Sequence, residues 1–185
     1  MLGVGIIILI VIVAILVIMA FSYYNRFVVL ANRIDNSLSQ INVQLKRRAD
    51  LIPNLIETVK GFAKHEKEAI KAVTDARKAL VSAKGVESKV KANNQLESAL
   101  KTIFAIAEGY PDLKANTNFL ELQRELSATE DKVAYARQFY NDSILTYNNM
   151  VEKFPGVIFA GMYGRKKKEF FQIAAVDQKL PKVSF

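Results

Sequence analysis

The chain has 185 residues, with 26 lysines and arginines against 18 acidic residues, a net charge of +8, one histidine and no cysteine. The lack of cysteine excludes a disulfide framework, a thiolate metal site and thiol lipidation. Only 4 prolines and 8 glycines occur, and with abundant Ala, Leu, Lys, Gln and Glu this argues for long helices.

The run from Leu2 to Phe21 carries no charge and no hydrogen-bonding side chain. As a helix rising about 1.5 Å per residue it reaches roughly 30 Å, the thickness of a bilayer core. Its β-branched residues disfavour a helix in water, but in lipid only a helix satisfies its own backbone. A cleaved signal peptide needs a basic n-region and a small-residue cleavage site; nothing basic precedes Leu2, and Ala20-Phe21-Ser22 fits poorly. The run is therefore expected to stay as an anchor over residues 1–22. Tyr23 and Tyr24 follow as an interfacial pair. Arg26, Arg33, Lys46, Arg47 and Arg48 all lie C-terminal to the span. The positive-inside rule then places the N-terminus outside and the remainder in the cytoplasm, at a cytoplasmic (inner) membrane.

The rest is long enough for one domain with a real core. All charged residues belong to it. A basic domain tethered to an inner leaflet faces anionic lipid. No helix-turn-helix, zinc finger or aromatic sheet motif supports nucleic-acid binding.

Four helical segments are expected. The first runs to about Phe62, with apolar residues at alternating steps of four and three: Phe27, Ala31, Ile34, Leu38, Ile41, Leu45, then Ile52, Leu55, Val59 and Phe62. This is a coiled-coil seam, interrupted by Arg48. Pro53 predicts a kink, or a helix restarted with Asp50 as its cap. The second, about Glu66 to Ala83, carries Ala69, Ile70, Val73, Ala76 and Leu80 on one face and ends at Lys84-Gly85. The third, about Glu87 to Glu108, shows Val90, Leu96, Leu100, Ile103, Phe104 and Ala107, followed by a stop and turn at Gly109-Tyr110-Pro111-Asp112. The fourth, about Thr117 to Phe154, has the seam Phe119, Leu122, Leu126, Thr129, Val133, Ala136, Tyr140, Ser143, Tyr147, Met150 and Phe154, ended by Pro155-Gly156.

Short connections make sequential helices antiparallel. The expected fold is all-α: an N-terminal transmembrane helix followed by an up-and-down (antiparallel) four-helix bundle over residues 23–155, with long coiled-coil-like first and last helices. An alternative keeps the first helix unbroken through Ala83. Where only the two long helices pair, their seams are poorly buried, which predicts self-association into a homo-oligomer. Residues 156–185 form a basic and aromatic tail. In it Arg165, Lys166, Lys167, Lys168, Phe170 and Phe171 are candidate contacts to an anionic membrane surface; the competing expectation is a turn folded onto the bundle end. Pro181 to Phe185 is expected to lie extended along a helix or a neighbouring subunit.

No catalytic pattern survives inspection. His65 has no second His or Cys to make a zinc site, the pairs Glu121/Glu125 and Glu130/Asp131 read as solvated, and no phosphate-binding loop, dinucleotide fingerprint or nucleophile elbow occurs. No metal or cofactor is expected. One polar cluster stands out: Gln44, Arg47, Arg48, Asp50 and Asn54, at spacings that allow contacts along one helix. Arg48 on the seam needs a carboxylate or carbonyl partner or must snorkel. It reads as a device that fixes helix register, or as a site for an anion or a partner peptide.

The stretch Tyr24-Asn25 through Arg47-Arg48-Ala49-Asp50-Leu51-Ile52-Pro53-Asn54-Leu55, then Val59-Lys60-Gly61-Phe62-Ala63-Lys64-His65-Glu66, closely resembles the LemA family of bacterial membrane proteins. So do Tyr110 to Lys114, Asn118 to Leu126, Tyr140-Asn141 to Tyr147-Asn148, Phe154-Pro155, and Pro181-Lys182-Val183 with Phe185. The resemblance implies one N-terminal membrane helix and an up-and-down helical bundle. It supplies no enzymatic activity and no catalytic residues. The function expected is a non-enzymatic, bacterial, single-pass membrane protein that self-assembles into a scaffold, with the lipid bilayer, its own copies and another membrane protein as partners. The alternative is a membrane-bound adaptor or sensor that binds a partner protein or anionic ligand through the bundle.

Overall fold

The computed structural model describes residues 2–171, so the expectation for Pro181 to Phe185 lies outside the described residues. Every regular element among them is a helix: α1 (Leu2–Phe62), α2 (Lys67–Ser82), α3 (Val86–Ala107), α4 (Pro111–Lys114), α5 (Thr117–Glu152) and α6 (Gly156–Met162). The chain divides into two compact units. One joins residues 2–38 to Gln138–Phe170; the other holds Ser39–Arg137 and Phe171.

α1 is one helix of 61 residues, about 90 Å long. Its side chains from Gly3 to Ile18 are all exposed, and it is long and apolar enough to cross a membrane. Burial begins at Phe27 and follows the expected seam through Ile34, Ile41, Leu45, Ile52, Leu55 and Val59.

The expected interruption at Pro53 does not occur, and neither does a cap at Asp50: both lie inside α1, on its exposed side. Proline removes the N–H that would bond the carbonyl four residues back. That carbonyl, on Ala49, instead accepts a hydrogen bond from Arg77 Nε of α2 at 2.8 Å. The freed acceptor is thus satisfied from a neighbouring helix, and the ladder resumes beyond it. The seam's last member also shifts. α1 ends at Phe62, which is exposed, and the completely buried Ala63 closes the row as the chain leaves the helix. The break at residues 63–66 also rules out a first helix continuous through Ala83.

In the second unit α2 buries Ile70, Val73, Ala76 and Leu80, as its pattern requires. Gly85, at φ +82°, makes the turn into α3. α3 buries Val90, Leu96, Leu100, Ile103 and Ala107, together with Asn93. Phe104 meets Phe119 edge to face at 6.1 Å. The expected turn at Gly109–Asp112 is in part the helix α4: Pro111 opens it, where its missing N–H is harmless, and Leu113 is fully buried. Tyr110 donates to Glu66 at 2.7 Å, tying two loops together. α5 is capped by Asn116, whose Oδ1 accepts the Phe119 N–H at 3.0 Å.

In the first unit the α5 seam continues through Tyr140, Ser143 and Tyr147, all buried, with Ile144 beside them. Phe27 of α1 packs edge to face on Tyr147 at 5.9 Å, and Arg33 sits 4.8 Å over the Phe139 ring. The small polar seam residues satisfy themselves: Ser37 donates to the Arg33 carbonyl and Ser143 to that of Phe139; in the second unit Thr129 does the same to Leu126. Phe154 is not a core residue. α5 stops at Glu152, and Phe154 is 80% exposed. The chain then turns into α6, within the segment 156–185 expected as a basic and aromatic tail.

Candidate functional sites

The five residues of the expected polar cluster do not converge. Arg48 points inward and is 1% exposed. Its Nη1 donates to Asn93 Oδ1 of α3 at 3.1 Å and its Nη2 to Glu130 Oε2 of α5 at 3.2 Å. Arg47 points outward and reaches Glu125 at 3.5 Å, with both side chains largely in water. Asp50 and Asn54 are exposed. Gln44 is half-buried, and its Oε1 is enclosed without a hydrogen-bond partner. Helical periodicity explains the scatter: positions 44, 47, 48, 50 and 54 fan over an arc of about 160°, with Arg48 at its buried edge and Asp50 and Asn54 toward the other.

What converges instead is a triad from three helices: Arg48, Asn93 and Glu130. Sequence reading missed the last two. Asn93 had a signal, since it falls at position i+3 from Val90 and i−3 from Leu96 on an apolar face. Glu130 had none beyond its place beside the seam residue Thr129. Burial pushes the Arg48 guanidinium below its ordinary pKa, opposed by the charges of Glu130 and Glu97. Both Nη groups of Arg48 are engaged inside the protein, while Glu130 keeps 44% of its side chain in water.

Two open grooves lie in the same unit. One, of about 600 Å³, runs between the end of α1 and α2; Lys60, Lys64, Lys67, Lys71 and Lys78 rim it over the buried Ile70. Asp75 is its acidic member and pairs with Lys78 at 3.7 Å. The other, of about 500 Å³, lies between α1 and α5 and is lined by Val43, Gln44, Asp131 and Tyr135 among others.

The basic segment lies in the first unit. Arg165 is half-buried, and its N–H caps α6 at the carbonyl of Ala160, 2.9 Å away. Lys166 and Lys167 are exposed, Lys167 pairing with Glu152. Lys168 is held through its main chain: Asn148 accepts its N–H and donates to its carbonyl, each at 2.9 Å. Its Nζ sits 5.8 Å over the Tyr147 ring. Phe170 is 37% exposed. Phe171, in the other unit, corrects the expectation of a surface contact: it is 2% exposed, with Arg137 5.5 Å over its ring. Burial pushes the hydroxyls of Tyr140 and Tyr147 above the ordinary tyrosine pKa; Asp35 and Glu169 add to the effect at Tyr140, and Arg165 opposes it at Tyr147.

Above this segment the end of the apolar run is fastened. The Tyr163 hydroxyl donates to the carbonyl of Ala20 at 2.8 Å, and the ring of Tyr24 meets that of Tyr163 edge to face at 5.3 Å. Tyr23 stacks on Phe159 of α6 at 4.8 Å. Among the described residues no group of His, Asp or Glu side chains is arranged to hold a metal, and His65 is exposed.

Residues 37–185 match the LemA family along their whole length. The chain belongs to the LemA family. Relatives of this LemA-family chain include the magnetosome protein MamQ of Magnetospirillum gryphiswaldense, 27% identical over 80% of the chain. Magnetosome protein MamQ 1 of Paramagnetospirillum magneticum is 25% identical over the same share. Protein LemA of Metamycoplasma hominis is 27% identical over 66%. The chain spans 64% of the length of the two magnetosome proteins and 57% of the mycoplasma protein.

Proposed function

We propose that this LemA-family chain is a non-enzymatic, single-pass membrane protein of the bacterial cytoplasmic membrane that assembles with its own copies into a scaffold. One observation carries the reading: the apolar stretch of α1 from Gly3 to Ile18 is exposed throughout among the described residues, as a span facing lipid must be and a core helix is not. Relatives named for a membrane organelle, the magnetosome, agree with it. The cation bias of the sequence puts the N-terminus outside and the helical part in the cytoplasm. In this reading α1, α2, α3 and α5 form an up-and-down bundle, with the two long helices packed as in a coiled coil.

Self-association is supported by large apolar side chains left in water on the long helices: Val29 and Val43 on α1, Tyr135 and Leu145 on α5. Arg48 suits a register-fixing role, because a buried guanidinium bonded to two helices penalises any slipped alignment. Crosslinking of full-length protein in native membranes, followed by mass measurement after detergent extraction, tests the scaffold. Ordered oligomers support it; recovery of monomer alone refutes it.

The second reading, an adaptor or sensor for an anionic partner, draws on the lysine-rimmed groove. A monomer or dimer that captures a client, and loses it on Lys64→Glu with Lys71→Glu, would favour that reading over the first.

A further inference from the structure

Helix α6 is apolar around its whole circumference, yet the described residues cover only one side. Gly156, Phe159 and Ala160 are buried, while Val157, Ile158 and Met162 are 46%, 53% and 67% exposed and the preceding Phe154 is 80% exposed. Residues 156, 159, 160 and 163 share one face; 157, 158, 161 and 162 share the other. A helix without a polar side is apolar toward a second phase as well as toward its own protein.

The contacts of α6 identify that phase. Tyr163 bonds the Ala20 carbonyl and Tyr23 stacks on Phe159, so α6 is pinned at the C-terminal end of the exposed apolar run of α1. Phe21 there is itself 65% exposed. The cations Arg165 to Lys168 begin just after the helix ends. Aliphatic span, tyrosines, short apolar face and lysines follow one another in the order that hydrocarbon, interface and anionic headgroups do.

We propose that α6 is an interfacial helix that lies in the leaflet edge beside the end of the span, with Phe154, Val157, Ile158 and Met162 among the upper acyl chains and Lys166 and Lys167 at the headgroups. The occupant is lipid, because α6 is pinned at the end of the exposed apolar run of α1 and is followed at once by cations. The inference rests on the reading of α1 as a membrane span. It gives the chain a second attachment point, which fixes how deep the span sits and how far it can rotate.

The test uses full-length protein in vesicles of phosphatidylcholine and phosphatidylglycerol. The chain has no cysteine, so Val157→Cys, Ile158→Cys and Met162→Cys each accept a single nitroxide, with Ile10→Cys and Tyr135→Cys as the span and aqueous references. Collision with oxygen and with a water-soluble nickel chelate is read by electron paramagnetic resonance. The expected result is oxygen access with loss of nickel access at all three α6 positions, shallower than at Ile10, while Tyr135 stays open to nickel. Nickel access equal to that of Tyr135, with Ile10 still in lipid, overturns the interfacial helix and leaves the span intact. Shielding from both reagents shows protein on the face and overturns it too. Nickel access at Ile10 overturns the span and this inference together. As a second measurement, adding phosphatidylglycerol to neutral vesicles should deepen the Ile158 label, and Lys166→Gln with Lys167→Gln should abolish that shift; a shift unchanged by the double variant removes the headgroup contact.

Discussion

Arg77 donates its Nε–H to the carbonyl of Ala49 at 2.8 Å, the acceptor left without its helical N–H by Pro53. One side chain of α2 thereby repairs the ladder of α1. A hydrogen bond from a charged donor is worth about 1.5–3 kcal/mol, and Arg77 is only half-buried, so Arg77→Leu should cost about 1–2 kcal/mol in chemical unfolding of the soluble part of the protein. In a Pro53→Ala background the Ala49 carbonyl regains its own donor, and the same substitution should cost less by at least about 0.5 kcal/mol. Equal costs in both backgrounds would show that Arg77 acts by packing alone.

The Arg48 triad predicts an asymmetry between its members. Glu130→Gln removes the charge that offsets a buried guanidinium and should destabilise; because Glu130 is 44% exposed, solvent screening holds the loss to about 1–2 kcal/mol. Arg48→Leu relieves the desolvation of the charge but leaves the buried Asn93 amide without its partner, so the two effects oppose and the net loss should stay under about 1 kcal/mol. If register is the role of Arg48, the leucine variant also broadens the oligomer distribution seen by native mass spectrometry. A single sharp species would argue against that role.

Gly156 has no room for a side chain. A Cβ there would stand 2.2 Å from the Met150 carbonyl oxygen, a contact with backbone that no rotamer relieves. Gly156→Ala should displace α6 and cost about 1–3 kcal/mol, visible as faster amide exchange at residues 157–164. Gly161 meets nothing within 4 Å, and Gly161→Ala should leave exchange there unchanged.

Alkaline pH should loosen the first unit. The neutral forms of Tyr140 and Tyr147 are favoured by burial, so their folded-state pKa values lie above the ordinary value of about 10. Below pH of about 10 both folded and unfolded chains keep these protons and the full contribution is present. As pH rises further the unfolded chain releases protons first, and stability falls until the folded-state values are passed. The melting temperature should therefore decline above about pH 10, and Tyr140→Phe with Tyr147→Phe should flatten the decline. An equal slope in the double variant would assign it to other groups.

Much of the helical order was legible because it rests on two local signals, seam periodicity and breakers. Most of the steps of three and four from Phe27 to Val59 and from Phe119 to Tyr147 correspond to buried rows, but Ala31, Leu38 and Leu122 are only half-buried, with Leu30 and Ser37 buried beside the first two; Gly85 and Pro155 mark real ends. Pro53 misled because its compensation, Arg77, lies 24 residues away in sequence, and no local rule carries that information. Phe62 misled because steps of three and of four from Val59 are both helical and the buried one is Ala63; Phe154 misled because periodicity continues past the end of α5 at Glu152. The polar site was half legible: Arg48 on a seam demanded a partner, but which of many surface glutamates answers depends on how three helices meet. α6 was hidden because a seven-residue apolar stretch holding two glycines reads equally as a turn.

Asn148 grips Lys168 by its peptide atoms alone, accepting from its N–H and donating to its C=O. That recognition is blind to the side chain, so any amino acid except proline satisfies it. Charge at this locus is thus separable from chain path: acetylation or mutation can retune the electrostatics of the segment without unhooking it, whereas altering Asn148 would release the segment with every charge intact.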